Sequence, residues 1–125
     1  VQIYSLNKKS DVYSIGVLLW EISSGRPPFC DEPYDLGLAM EILHGLREKP
    51  IPNTSEDYIK IYTYCWNNEP DNRPTINQVV AKLNAIILEV TNYQVNSRIL
   101  LKLLEILLII HCMEKCLNLF KILII

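Results

Sequence analysis

The chain has 125 residues, half of them hydrophobic and 21% charged, a composition that supports one globular domain with a modest core and excludes intrinsic disorder. Its formal net charge of −2 argues against non-specific nucleic-acid binding. The charge is uneven: residues 1–94 hold eight Lys/Arg against twelve Asp/Glu (net −4), and residues 95–125 hold four against two (net +2).

The sequence opens on Val1 without a Met, in what reads as a loop, which suggests a piece of a longer chain. Residues 1–10 lead into "DVYSIGVLLWEI", residues 11 to 22, which is apolar all the way round a helical wheel. Twelve residues cannot cross a bilayer, which needs about 20, so this stretch is expected to be a buried central helix. Asp11 or Ser10 is the expected cap, and Gly25 the stop. After the loop "GRPPFCDEP", a second helix is expected from Tyr34 to about His44, with Leu36, Met40 and Leu43 on one face.

Pro50 and Pro52 then forbid a helix in "REKPIPNTS". Thr54 with Asp57 resembles a cap for a helix through Tyr58, Ile61, Tyr62, Cys65 and Trp66. "NNEPDNRP" interrupts that helix, and Thr75 with Gln78 fits a capping box that opens another through Val79, Val80, Leu83, Ile86, Ile87 and Val90. No strand and no repeat is evident, so the expectation is all-α. Residues 95–125 form a Leu/Ile-rich tail, separate from a domain over 1–94 and amphipathic enough to be helical. It is expected to pack on the domain or on another chain, with a membrane-surface helix the less favoured alternative and non-coding origin a third. Its charges at 102, 105, 114, 115 and 121 disfavour a span.

Candidate chemistry is sparse. Cysteines 30, 65, 112 and 116 make no disulfide framework, which points to a reducing, intracellular, cytoplasmic setting. His111, Cys112 and Cys116 are soft ligands without a fourth, so no metal site is expected. Asn53-Thr54-Ser55 fits the glycosylation acceptor pattern, which recurs by chance.

Four stretches, "KKSDVYSIGVLLWEISSGRPPF", "GLREKPIP", "YCWNNEPDNRP" and "TINQVVAKL", stand in an order and spacing that resembles the C-terminal lobe of eukaryotic protein kinases, nearest the tyrosine-kinase-like and tyrosine kinase branches. The resemblance covers residues 8 to about 90 and leaves the tail without a counterpart. It implies a partial kinase C-lobe around a buried central helix, in which Trp20 and Trp66 are core residues. It also implies that Asp11 accepts hydrogen bonds from the catalytic loop, unless it merely caps its helix. Arg73 matches the arginine that pairs with the glutamate of the A-P-E motif; that motif is absent from this sequence, which leaves Glu69 or water as its expected partner. The Gly-rich loop, V-A-I-K, H-R-D and D-F-G motifs are also absent, so no catalytic, cofactor-binding or metal residue is assigned. Mg-ATP and phosphorylation of protein Ser/Thr or Tyr are implied for a complete domain only. The expected partner is the remainder of the kinase domain or another protein, and the rival class is a non-catalytic interaction remnant.

Overall fold

A computed structural model describes residues 8–92, 102 and 104–110 of the chain. The elements are α1 (Lys8–Ser24), α2 (Leu36–Leu43), α3 (Glu56–Cys65), a 3-10 turn (Pro70–Asn72) and α4 (Ile76–Asn92). Residues 104–110 are also helical, and no strand occurs among the described residues. Two compact units, Val1–Val79 and Val80–Ile125, divide within α4.

α1 begins at Lys8, earlier than the expected cap, because nothing in Lys8-Lys9-Ser10 breaks a helix. Asp11 is therefore not the cap. It lies in the first turn, where its carboxylate still complements the helix dipole. The buried residues Val12, Ile15, Gly16, Leu19 and Trp20 recur at helical spacing and form one stripe. Leu18, off that stripe, is 41% exposed, so the all-round apolarity overstates how much of the helix is covered by the described residues.

That stripe meets α3, whose buried Tyr58, Ile61, Tyr62 and Cys65 repeat with the same period. Gly16 sets the distance between the two helices. A Cβ on Gly16 would lie 2.8 Å from the Cys65 Cβ and 3.0 Å from the Tyr62 carbonyl oxygen, so only a glycine permits this approach. The buried Tyr58 hydroxyl donates to the Leu19 carbonyl at 2.6 Å, tying the helices by a polar bond within the apolar contact. Tyr58, Tyr62 and Trp66 follow one another edge to face, with ring centroids 5.9 and 4.9 Å apart.

The start of α3 differs from expectation. Thr54 does not cap it; Ser55 holds the cap position without a side-chain bond. Asn53 at φ +65° and the Thr54 N–H bonded to the Ile51 carbonyl close a turn that displaces the helix start. Glu56 and Asp57 in the first turn compensate the dipole instead. In α4 the capping box forms as expected: Thr75 N–H donates to Gln78 Oε1 at 2.9 Å, and Gln78 N–H to Thr75 Oγ1 at 3.2 Å.

α2 is shorter than expected and packs on a different face. Asp35 caps it by accepting the Leu38 N–H at 2.9 Å. Leu38 is buried and Ile42, one turn on, is half-buried, whereas Leu36, Met40 and Leu43 are exposed. Eight residues that are nearly all apolar offer two competing faces, and the fold covers the one that carries Leu38 and Ile42. The loops are pinned individually. Trp20 Nε1 donates to the Lys49 carbonyl at 2.8 Å, and Glu48 accepts the N–H of Phe29, which sits at φ +54°.

In the first unit Ile76 and Val79 of α4 are buried; in the second, so are Leu83, Ile106 and Ile110. The expected tail helix is thus present over 104–110, while 111–125, with His111, Cys112 and Cys116, lie outside the described residues. No helix among the described residues is long and apolar enough to cross a membrane.

Candidate functional site

Tyr13 lines a cleft of mixed polarity in the first unit. It projects from α1 beside the α1–α3 contact, and two guanidiniums approach its ring. The Cζ atoms of Arg47, from the loop after α2, and of Arg73, after the 3-10 turn, each lie 5.0 Å from the ring centroid. Cation–π contacts of this kind contribute about 1 kcal/mol each when partly desolvated. The cleft has a volume of about 470 Å³ and is completed by Ser14, Ile42 and Asn68, among others. A smaller cavity of about 180 Å³, almost wholly apolar, continues behind it between Val17, Phe29 and Trp66.

The two arginines are positioned by backbone carbonyls. Arg73 donates through Nε to Asn67 at 2.7 Å and through Nη1 to Lys9 at 2.9 Å. Lys9 returns the contact, its Nζ donating to the Arg73 carbonyl at 2.6 Å. Arg47 donates through Nε to Trp66 at 2.9 Å and through Nη1 to Ile42 and Leu46. Its Nη2 reaches the Asn68 side chain at 3.4 Å. Of the two expected partners, Glu69 makes no ion pair with Arg73; the guanidinium bonds instead to the main-chain carbonyls of Asn67 and Lys9. Burial lowers the Arg73 pKa, Tyr13 and Glu69 oppose that shift, and the Arg47 charge adds to it.

Of the residues singled out in the sequence, Arg73 lines this cleft beside Tyr13 and Arg47, and Trp66 lines the smaller cavity and accepts the Arg47 Nε–H on its carbonyl. Trp20 is fully buried, and Asp11 is half-buried and makes no hydrogen bond among the described residues. Arg47, Tyr13 and Lys9 were missed. Arg47 stands within "GLREKPIP" and Tyr13 within the α1 stretch, so the signal was present in those stretches without marking a side chain. Neither arginine could be linked to Tyr13 without the fold. No three His, Cys, Asp or Glu side chains gather to hold a metal among the described residues, and Gly16 lies in a helix interface rather than in a phosphate loop.

Residues 1–83 match the family model for protein tyrosine and serine/threonine kinase. The chain belongs to the protein kinase family. Among curated kinase relatives, the probable serine/threonine-protein kinase roco8 of Dictyostelium discoideum is 35% identical over 94 residues, 74% of this chain and 5% of that protein. The dual specificity protein kinase shkC of the same organism is 33% identical over 74% of this chain and 18% of its own length. Mitogen-activated protein kinase kinase kinase 10 of Xenopus laevis is 34% identical over 69% of this chain and 9% of its own length. The chain therefore spans less than a fifth of each of these kinases, and the helical first unit is a kinase segment without strands among its described residues.

Proposed function

We propose that this chain forms the distal C-lobe of a protein kinase of the tyrosine-kinase-like or tyrosine kinase branch, as a scaffold rather than a source of catalytic groups. The observation that carries the reading is the α1–α3 contact, with Gly16, Trp20 and Trp66 at its centre, inside the stretch that matches the family. In a complete domain, intracellular and cytoplasmic, its partner is the remainder of that domain, and the reaction is ATP-dependent phosphorylation of protein Ser/Thr or Tyr. Asp11 would accept hydrogen bonds from the catalytic loop, and Arg73 the carboxylate of the A-P-E motif, a bidentate pair suited to a guanidinium. These residues alone bring no group that would hold Mg-ATP or move a phosphoryl group.

The test is a chimera in which residues 8–83 replace the matching segment of shkC. Retained phosphotransfer is the expected result. A folded but inactive chimera would refute the scaffold reading and favour a non-catalytic interaction module, for which the exposed Leu36 and Leu43 of α2 speak. In parallel, the 125-residue chain should give no thermal shift with Mg-ATP; saturable binding at micromolar nucleotide would overturn the absence of a nucleotide site.

A further inference from the structure

We propose that Tyr34 is a phosphorylation site, the acceptor for a separate ATP-dependent tyrosine kinase, and that its phosphate resets the loop between α1 and α2. Tyr34 is 70% exposed and lies outside any helix, just before Asp35, the cap of α2. The other described tyrosines are less open. Tyr58 and Tyr62 are buried, Tyr13 is half-buried within α1, and Tyr64, 50% exposed, is held within α3. An enzyme can draw Tyr34 into its active site by opening one exposed loop, whereas each of the others needs a helix opened. The surroundings select the enzyme. Asp31, Glu32 and Asp35 are exposed on either side of Tyr34, and residues 27–46 contain no Lys or Arg. A negative stretch of this kind is steered to a kinase with a basic substrate groove. The chain is the substrate in this step, so the inference does not rest on the scaffold reading.

In the transfer, the phenol oxygen of Tyr34 bonds to the γ-phosphorus of ATP. The bond from that phosphorus to the β–γ bridging oxygen breaks, ADP leaves, and the phenol proton passes to the kinase's base. The consequence follows from one hydrogen bond. The Tyr34 hydroxyl donates to the Pro28 carbonyl at 2.8 Å, which ties the end of the loop to its Pro-rich start. An ester oxygen has no proton to give, so phosphorylation leaves two acceptors face to face and the tie is lost. The phosphate also brings close to two negative charges. Arg26, two residues before Pro28, is the one basic side chain between α1 and α2, and its Nη1 pairs with Asp31 Oδ2 at 3.0 Å in an exposed pair. Pairs of this kind are weakly held. A dianion tied to the same loop therefore takes Arg26 from a single carboxylate. The loop exchanges the Tyr34–Pro28 bond and the Arg26–Asp31 pair for one pair between Arg26 and phosphate.

The experiment incubates the full 125-residue chain with Mg-ATP and a purified tyrosine kinase that accepts poly-Glu-Tyr, and locates the phosphate by peptide mass spectrometry. Tyr34 should be labelled faster than Tyr64 by about tenfold or more, since Tyr64 reacts only when α3 opens. Tyr34→Phe should keep its melt, because the residue is exposed, and lose most of the incorporation. Asp31→Asn with Glu32→Gln should slow labelling of Tyr34. On the phosphorylated chain the Arg26 Nε–H resonance should move, and in Asp31→Asn it should move before phosphorylation as well. No incorporation into the folded chain would overturn the proposal, as would phosphate found chiefly on another tyrosine or undiminished incorporation by Tyr34→Phe. An Arg26 resonance unmoved by phosphate on Tyr34 would overturn the exchange of partners.

Discussion

Replacing Gly16 with Ala sets two effects against each other. In the interior of α1, Ala gains about 1 kcal/mol of helix propensity over Gly. Against this, the new methyl would sit 2.8 Å from the Cys65 Cβ, 3.0 Å from the Tyr62 oxygen and 3.1 Å from the Trp66 nitrogen. Carbon atoms pack at about 3.5–4.0 Å, so α3 must retreat by roughly 1 Å. None of the three atoms is the end of a flexible side chain, so no rotamer change relieves the clash. Overpacking of this kind costs about 1–3 kcal/mol, and the retreat also loosens the Tyr58–Leu19 bond. A net loss of about 1–2 kcal/mol is expected, a substantial part of the 5–15 kcal/mol typical of a domain. Urea unfolding followed by the fluorescence of buried Trp20 and Trp66 should give a lower midpoint at unchanged slope. Gly37→Ala, whose methyl meets only the Asp35 side chain, should change stability by less than about 1 kcal/mol. A Gly16→Ala midpoint equal to or above wild type would refute the close approach of α1 and α3.

Adjacent residues of α1 should behave oppositely: Leu19→Asp should abolish the cooperative melt, because an unpaired buried charge costs several kcal/mol, whereas Leu18→Asp should remain folded by circular dichroism. Tyr58→Phe should cost about 1 kcal/mol through its lost bond to Leu19, while Tyr62→Phe, whose buried hydroxyl has no partner among the described residues, should be neutral or stabilising in the same urea assay. Burial raises the pKa of both phenols above the ordinary 10.0, with Tyr62 adding to the shift at Tyr58. The folded state thus keeps protons that the unfolded chain releases, so their contribution is intact below pH about 10 and is lost as pH rises through the folded values. Alkaline titration of the melting temperature should fall more steeply for wild type than for Tyr58→Phe, and equal slopes would contradict the burial of that hydroxyl.

What could be read from the sequence was what neighbouring residues decide among themselves. Thr75 and Gln78 are three apart and bond to each other, so their capping box needed no tertiary information. The apolar period of α3 likewise named Tyr58, Ile61, Tyr62 and Cys65 as its buried face. Where the outcome depends on distant partners, the pattern was ambiguous. In α2 the rows Leu36/Met40/Leu43 and Leu38/Ile42 are both apolar, and only packing against the rest of the fold covers the second. Thr54 lost its cap to a turn set by Asn53 at positive φ, a conformation that its residue type permits but does not announce. The candidate cleft was the least legible part. Arg73 was visible as a residue, but its partners Lys9 and Asn67 offer main-chain carbonyls, which carry no side-chain signature.

The paired bonds between Lys9 and Arg73 also bear on the order in which the fold assembles. They join positions 64 residues apart, whereas the Tyr58–Leu19 bond spans 39. Closure entropy grows only slowly with loop length, about 0.6 kcal/mol per doubling, so either contact alone could form first at similar expense. Once Cys65 rests on Gly16, however, the chain ends still to be gathered are short on both sides, and the second closure becomes nearly local. The α1–α3 contact is therefore the natural nucleus and the Lys9–Arg73 clasp a late event. Stopped-flow kinetics on Lys9→Ala should show faster unfolding with little change in the folding rate, making the clasp a determinant of how long the native state survives rather than of how quickly it is reached.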